Sequence, residues 1–237
     1  MSWGPSKAFA RPLLAAALLV TASAALADIL VVRSTGPSAR SFPPGKRLPE
    51  TARIGLKAGD QLIVLDGRGT RSIRGPGTVT AGVPTVGRIA SSGPASQRRA
   101  RIGAVRGVET GELRPPSIWH VDVAKSSNFC VADPARVTLW RADAAKAVTL
   151  DIGGADGRAK QLSWQLGSST LAWPSDLPVT DGALYRLSRS GGAGWTGIRF
   201  RTIPAKPAGL EVMAQTLIRN QCDAQLDLFI DTVKLPE

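Results

Sequence analysis

The sequence predicts a mainly-β protein, with a small β module, a β-sandwich and a closing pair of C-terminal helices. Two observations carry this prediction. Short apolar runs alternate with polar residues and are separated by glycine, proline and aspartate, a pattern typical of antiparallel strands. From residue 206 onward the apolar residues instead recur three and four positions apart, which is the spacing of an amphipathic helix.

Residues 1–27 have the order of a secretory signal peptide. Lys7 and Arg11 form a basic region, residues 13–20 (LLAAALLV) are apolar, and residues 25–27 (ALA) form an A-x-A cleavage site. We therefore expect cleavage before Asp28 and export to the periplasm. The alternative is a membrane anchor, but the apolar run falls short of the roughly 20 residues that a spanning helix needs. No later segment is long enough, so we expect no transmembrane segment after cleavage.

The chain is strongly basic, with 30 Lys and Arg against 18 Asp and Glu and a net charge of +12. Loss of Lys7 and Arg11 with the signal peptide would leave +10. Such a charge attracts polyanions. Export argues against nucleic acid, so the candidate ligands are anionic polysaccharide or lipid. The alternative is that the basic surface serves solubility alone.

Residues 28–80 form the predicted β module. A β-branched run at 28–33 (DILVVR) reads as a strand and is followed by a connection rich in proline and glycine. Leu62 to Leu65 is a second strand, Asp66-Gly67 is a hairpin turn with glycine in positive φ, and Thr70 to Arg74 is the returning strand.

The motif LKAGDQLIV at 56–64, followed by that turn, resembles the FecR-like periplasmic domain, a small β fold of envelope regulators. The returning strand departs from this family, since it carries Arg71 and Arg74 in place of an Asp-Gly-Ser step. The resemblance implies a non-catalytic binding or sensing module.

Residues 81–114 have the composition of a basic Gly/Pro linker. The arginines here and in the returning strand are the predicted polyanion-binding residues. They are Arg68, Arg71, Arg74, Arg98, Arg99 and Arg101.

Residues 115–205 hold seven short strand-like runs, the pattern of a β-sandwich. The segment LPVTDGALYRL at 177–187 resembles the corner before strand F of immunoglobulin-like and fibronectin-type domains. That resemblance implies a structural role for Tyr185, whose hydroxyl would hydrogen-bond back to the preceding backbone.

Residues 206–237 are predicted to form two helices. Asn220 is expected to end the first in a left-handed conformation, and Asp223 to cap the second. We expect the apolar faces of both helices to cover one sheet of the sandwich, with a partner-binding groove as the alternative. These faces comprise Leu210, Met213, Leu217 and Ile218 in the first helix, and Leu226, Phe229, Ile230 and Val233 in the second.

The two cysteines, Cys130 and Cys222, are predicted to form a disulfide that pins the helices to the sandwich, because export favours oxidation. A redox or metal pair is the alternative. It lacks both C-x-x-C spacing and supporting histidines.

No catalytic signature stands out. His120 is the only histidine and no nucleophile elbow is present, so His120 is expected to be a surface or partly packed residue, with a general base beside Asp122 as the alternative. The G-x-G-x-x-G pattern at 192–197 precedes a strand, and DIGGADG at 151–157 lacks the ligands of a calcium loop, so both are expected to be plain turns.

Alternation with Leu139 predicts that Trp140 faces outward, beside Arg136, Arg141 and Lys146. An exposed aromatic ring among cations is typical of a carbohydrate or anionic-ligand platform, and the alternative is core packing or incidental exposure. The sequence therefore predicts an exported non-enzymatic accessory protein without cofactor or metal. Its expected ligand is an envelope protein partner, and the alternatives are charge-driven binding of anionic envelope polymer or lipid, and an enzyme centred on His120.

Overall fold

The computed structural model describes residue 1 and residues 28–83, 113–192, 194–203 and 207–235. The predicted signal peptide beyond Met1 lies outside the described residues, as does most of the predicted linker with Arg98, Arg99 and Arg101. In the described residues the chain is mainly β with two C-terminal helices, which confirms the predicted fold class.

The described residues 28–83, the N-terminal part, contain six strands and one short 3-10 helix at Ala39–Ser41. Strands β1, β2, β4 and β5 form an antiparallel sheet in the order β2-β1-β4-β5, and β3 pairs with β6. The strands are β1 (Asp28–Thr35), β2 (Arg47–Pro49), β3 (Arg53–Leu56), β4 (Gln61–Leu65), β5 (Thr70–Arg74) and β6 (Gly77–Thr80).

The described residues between 113 and 203, the second part, contain eight strands in two sheets, with a 3-10 helix at Pro134–Arg136. One sheet has the order β11-β10-β13-β14-β8 and the other the order β12-β9-β7. Strand β8 runs parallel to β14, and β7 runs parallel to β9. The strands are β7 (His120–Asp122), β8 (Ser127–Val131), β9 (Thr138–Trp140), β10 (Val148–Gly153), β11 (Ala159–Trp164), β12 (Thr170–Ala172), β13 (Leu184–Arg189) and β14 (Trp195–Thr202).

These two sheets share an apolar core, so the region is sandwich-like. Alternate residues of β10, β13 and β14 point inward, because side chains of a strand alternate between its two faces. At the centre of the core, Trp173 meets Tyr185 and Phe200 edge to face, with ring centroids 5.1 and 5.2 Å apart. Such arrangements add to the stabilisation from area burial alone.

Helices α1 (Leu210–Arg219) and α2 (Asp223–Thr232) pack between the two parts. Their buried face contacts Cys130 of β8 on one side, and Leu30 and Val32 of β1 on the other. The helices therefore do not cover the sandwich alone, as the sequence suggested, but complete a core that the N-terminal sheet also lines. No helix in the described ranges is both long and apolar enough to cross a membrane.

A disulfide and a pair of backbone hydrogen bonds join the C-terminal residues to the two parts. Cys130 and Cys222 form a disulfide with a Cα–Cα distance of 5.9 Å, which confirms the predicted pairing. The C-terminal segment lies beside β5, where the Thr70 amide donates to the Val233 carbonyl at 3.0 Å and the Leu235 amide donates to the Thr70 carbonyl at 2.9 Å.

The helix joint differs by one residue from the prediction. Gln221, not Asn220, takes the positive φ of 56°, while Asn220 has a φ of −92°. Asp223 is the first residue of α2, so Cys222 and not Asp223 is its N-cap, and the Cys222 side chain makes no capping hydrogen bond. Asn220 instead donates its side-chain amide to the Thr216 carbonyl at 2.9 Å, which satisfies the end of α1 without a left-handed residue at 220.

The turn between β4 and β5 also differs from the predicted two-residue hairpin. Asp66 accepts hydrogen bonds from the amides of Arg68 and Gly69, and the positive φ lies at Gly69 rather than Gly67. A Cβ at position 69 would come within 2.3 Å of the Val233 carbonyl oxygen. Gly69 is therefore required by the close approach of the C-terminal segment as well as by its backbone conformation.

Candidate functional site

The structure removes Arg71 from the predicted polyanion-binding set. Its guanidinium donates to the carbonyls of Ala81 and Val83, and its Nε lies 3.8 Å from the Asp66 carboxylate. The side chain is only 11% exposed. Burial lowers the pKa of Arg71, and the nearby charge of Asp66 partly offsets that effect. Sequence reasoning assigned this arginine to a ligand. It could not reveal the two carbonyl acceptors, because they lie beyond the returning strand.

The other predicted arginines divide into paired and free groups. Arg68 is exposed but forms an ion pair with Asp66 at 3.1 Å. Burial raises the pKa of Asp66, but hydrogen bonds and charge from Arg68 outweigh burial and leave that pKa below its ordinary value. Arg74 is exposed, and no side-chain partner for it occurs among the described residues. The returning strand thus presents one unpaired cation rather than a cluster.

His120 lines a cleft between the sandwich and α2, with a volume of about 220 Å³. Phe129 and Leu228 contribute its apolar walls, and Asp122 and Asp227 contribute carboxylates. Asp227 is paired with Arg33 of β1. The cleft is therefore a real concavity, with charges that are largely satisfied by the protein itself.

The groups around His120 do not form a nucleophilic relay. The Nδ1 of His120 lies 2.9 Å from the Ser117 hydroxyl, and the Asp122 carboxylate accepts from the Ala124 amide at 2.9 Å. Each of these contacts joins neighbours in sequence and serves a local turn. A general base needs a third group that orients it toward a substrate or nucleophile, and no hydrogen bond joins His120 to Asp122 in the described part.

The two turn motifs that sequence analysis singled out have structural partners. Strand β14 begins at Trp195, inside the G-x-G-x-x-G pattern, so a strand and not a helix follows the glycines. Asp156 pairs with Arg158, and the hydrogen bond from that side chain keeps the pKa of Asp156 below its ordinary value. No group of three or more acidic, histidine or cysteine side chains that could hold a metal ion occurs within the described ranges.

The predicted outward position of Trp140 is wrong, since only 5% of the residue is exposed. Its neighbour Arg141 is buried too, and donates to the carbonyls of Lys146, Gln165 and Ser168. The guanidinium also lies 5.0 Å from the ring centroid of Trp164. Alternation does not separate inward from exposed residues here, because the consecutive residues Leu139, Trp140 and Arg141 are all buried.

Tyr185 makes the contacts of a corner residue. Its hydroxyl donates to the Pro178 carbonyl at 2.6 Å and accepts from the Thr180 amide at 3.1 Å. The ring is buried against Trp173. Tyr185 therefore holds the segment that leads into β13.

An exposed aromatic residue does occur, at Trp195. It is 56% exposed, and the Arg186 guanidinium lies 4.9 Å from its ring centroid. Ser188 lies directly opposite Trp195, and Arg186 directly opposite Gly197. All these residues alternate with the inward residues Leu187 and Ile198, so they share the outward side of the five-stranded sheet.

We call this surface the outer face and define it by Leu184, Arg186, Trp195, Arg199 and Arg201, which are exposed or half-buried. Sequence analysis placed a strand after the G-x-G-x-x-G pattern at 192–197 but did not extend its alternation back to Trp195. That alternation was the available signal. A comparison of the chain with protein-family models, curated proteins and solved structures found no match.

Proposed function

We propose that the chain is an exported, non-enzymatic accessory protein that binds a protein partner of the cell envelope through the outer face. The observation that carries this proposal is the exposed pair of Trp195 and Arg186 on the outward side of β13 and β14. The signal-peptide pattern supports export, and the resemblances to FecR-like and immunoglobulin-like domains support a sensing or scaffolding role in the periplasm.

The outer face has the chemistry of a protein interface. Tryptophan and arginine are the residue types that most often dominate binding energy, and productive interfaces surround an apolar centre with polar groups. Trp195 and Leu184 supply the apolar centre, and the arginines of β13 and β14 supply the rim. These residues stand on hydrogen-bonded strands, so little backbone ordering is required on binding.

A binding role also fits the cleft at His120. The one imidazole of the chain is engaged by Ser117, three residues before it, and the neighbouring carboxylate is engaged by its own turn. Replacement of His120 by alanine is therefore expected to leave the function of the protein unchanged.

Charge-driven binding of anionic polysaccharide or lipid is the second candidate, favoured by the net charge of +12. Many cations are already paired within the protein, among them Arg33, Arg47, Arg114 and Lys160. Fewer cations are therefore available to contact a polymer than the formal charge implies.

Photo-crosslinking in the cells that make the protein separates these candidates. A benzophenone amino acid replaces Ser188, directly opposite Trp195, and in a matched control it replaces Leu166, which is 68% exposed and lies in a loop outside the outer face. We expect a recurrent protein adduct from position 188 only, lost with Trp195→Ala and retained at about 0.5 M salt.

Identical adducts from both positions, or none from position 188, would contradict the proposal. Adducts with polysaccharide or lipid alone, which disappear as salt rises, would favour the second candidate, because screening weakens contacts between exposed charges.

A further inference from the structure

We infer that the outer face receives an extended acidic segment of the partner, with carboxylates at every second residue around one apolar side chain. This inference rests on the proposed function and names the chemistry of the partner. It follows from the charge, the spacing and the apolar centre of the outer face.

The charge of the outer face is positive and concentrated on two strands. Arg186 lies on β13, and Arg199 and Arg201 lie on β14, all on the outward side. The nearest acidic residue on this side of β10 is Asp151, which accepts a hydrogen bond from the Gln161 side chain at 2.8 Å. Beside the end of β14, the Asp181 carboxylate accepts from the Thr202 amide at 2.7 Å. Three guanidinium groups against two carboxylates that are already hydrogen-bonded leave a positive surface, which is complementary to an acidic ligand.

The spacing of the arginines favours an extended ligand. Arg199 and Arg201 are two residues apart on one strand, which separates their Cα atoms by about 7 Å. Arg186 lies opposite Gly197 and is thus diagonal to Arg199, at roughly 7 to 8 Å. An extended peptide presents alternate side chains on one side with the same period of about 7 Å. Carboxylates at every second residue would therefore meet successive arginines.

The centre of the outer face is an apolar shelf. Gly197 has no side chain, and a Cβ there would lie 3.1 Å from the Trp195 indole and 3.2 Å from Leu184 Cδ1. The indole and Leu184 thus fill the space above Gly197, with Arg186 stacked on the ring. One apolar side chain of the ligand can pack on this shelf while its neighbours reach the guanidinium groups.

The arginines are held in place but keep donors to spare. Arg199 donates from Nη1 to the Gly182 carbonyl, and Arg186 is oriented by its stacking on Trp195. A guanidinium has five N–H donors and binds carboxylates in a two-pronged geometry. Arginines oriented in this way lose less side-chain entropy when a carboxylate binds.

Two isomeric peptides with blocked ends test the spacing directly. One is Glu-Ser-Leu-Ser-Glu-Ser-Glu, which puts its carboxylates and leucine on one side when extended. The other is Glu-Glu-Leu-Glu-Ser-Ser-Ser, with the same charge and composition. Calorimetric titration into the mature protein is expected to give a Kd at least about 5-fold lower for the alternating peptide, since only that isomer matches the period of about 7 Å.

Variants identify the surface that the peptide occupies. Trp195→Ala is expected to weaken the alternating peptide about 10-fold and Arg186→Gln or Arg199→Gln about 3-fold, because central aromatic residues dominate such contacts. Arg53→Gln removes an exposed cation from β3, outside the outer face, and is the matched control, with no change expected. A proton–nitrogen correlation spectrum of each variant verifies that it is folded.

Equal affinity for the two isomers, or affinity insensitive to Trp195→Ala and Arg186→Gln, would overturn the inference. Trp195-dependent binding of a uronic-acid oligosaccharide or of vesicles containing an anionic phospholipid, without binding of either peptide, would overturn it in favour of those ligands. If neither peptide binds while the protein adduct at position 188 persists, the inference fails and the proposed function stands. If neither peptide binds and no protein adduct forms at position 188, both the inference and the proposed function are overturned.

Discussion

The sandwich and the N-terminal sheet differ in how each completes its core. The sandwich buries one apolar interior between its own two sheets. In the N-terminal sheet, β1 buries both of its faces: Ile29 and Val31 point into a local core, whereas Leu30 and Val32 point into a core shared with α1 and α2. The sandwich can therefore stabilise itself, while the N-terminal sheet depends on the last thirty or so residues of the chain.

The shared core is joined to the sandwich by polar contacts as well as by packing. The buried side chain of Gln225 accepts from the Cys130 amide at 2.6 Å and donates to the carbonyls of Cys130 and Ile118. On the other side of the same helix, the Thr70 hydroxyl donates to the Ile230 carbonyl at 2.8 Å. Helix α2 thus holds a strand of each part, and the predicted boundaries at residues 80 and 115 do not separate independent cores.

Among the changes that test this comparison, removal of the disulfide is expected to lower the free energy of unfolding the most. The variant with Cys130→Ala and Cys222→Ala opens a link between positions 92 residues apart, and the chain-entropy model gives a loss of about 4 to 5 kcal/mol. Urea unfolding measures the loss. Hydrogen exchange should show protection falling in β1, α1 and α2 before β13. Simultaneous loss of protection in all of these elements would contradict the division into a self-sufficient and a dependent part.

Matched truncations of two phenylalanines sharpen the comparison. Phe229→Ala removes a buried ring from the shared core, and Phe200→Ala removes the same side chain from the sandwich core. Each is expected to lower the free energy of unfolding by about 3 to 4 kcal/mol. Hydrogen exchange distinguishes them, because Phe229→Ala should expose the amides of β1 and α2 and leave β13 and β14 protected. Faster exchange in β13 after Phe229→Ala would show that the sandwich also needs the helices.

A smaller effect is expected inside the sandwich, at Tyr185. Tyr185→Phe keeps the ring but removes the hydroxyl that joins the Pro178 carbonyl and the Thr180 amide. The expected loss is about 1 to 1.5 kcal/mol, the usual contribution of a buried hydrogen bond. Thermal unfolding measures it, and exchange should rise only in the segment before β13. A loss of protection that reaches β1 would contradict the separation of the two cores.

The strands and helices that follow from the local spacing of apolar residues were predicted correctly. Strand β5 lies at Thr70–Arg74 as expected, and the helices that carry Leu217 and Leu226 lie where the spacing placed them. These elements follow from local spacing of apolar residues, which the sequence displays directly.

The residues that were misread depend on contacts distant in sequence. Trp140 was expected outside because it alternates with Leu139, yet it is buried, and its neighbour Arg141 is buried too and donates to carbonyls up to 27 residues away. Arg71 was expected to bind a ligand, yet it binds carbonyls beyond the next strand. The sequence shows that an arginine is charged, but it does not show which groups accept its hydrogen bonds. The outer face and its Trp195 therefore became recognisable only once the sheet order was known.

The smallest expected effect is a pH dependence confined to the N-terminal sheet. Burial raises the pKa of Asp60, but hydrogen bonds from Ser38 and Lys57 outweigh it and hold the pKa below its ordinary value. A lowered folded-state pKa stabilises the fold above the unfolded pKa near 4, and that contribution is lost as pH falls through the folded pKa. Asp60→Asn should therefore lower Tm by a few degrees at pH 7, with a difference that shrinks on acidification.

The matched control is Asp176→Asn. The pKa of Asp176 is also lowered, first through a hydrogen bond from Lys160, but its side chain is 59% exposed on the sandwich. Water and salt screen such a pair, so we expect no more than about a degree of change in Tm at any pH. If Asp176→Asn lowers Tm as much as Asp60→Asn, the acid sensitivity belongs to the whole fold. If only Asp60→Asn acts, and exchange rises in β1 and β4 alone, the two parts respond to acid as separately as their cores suggest.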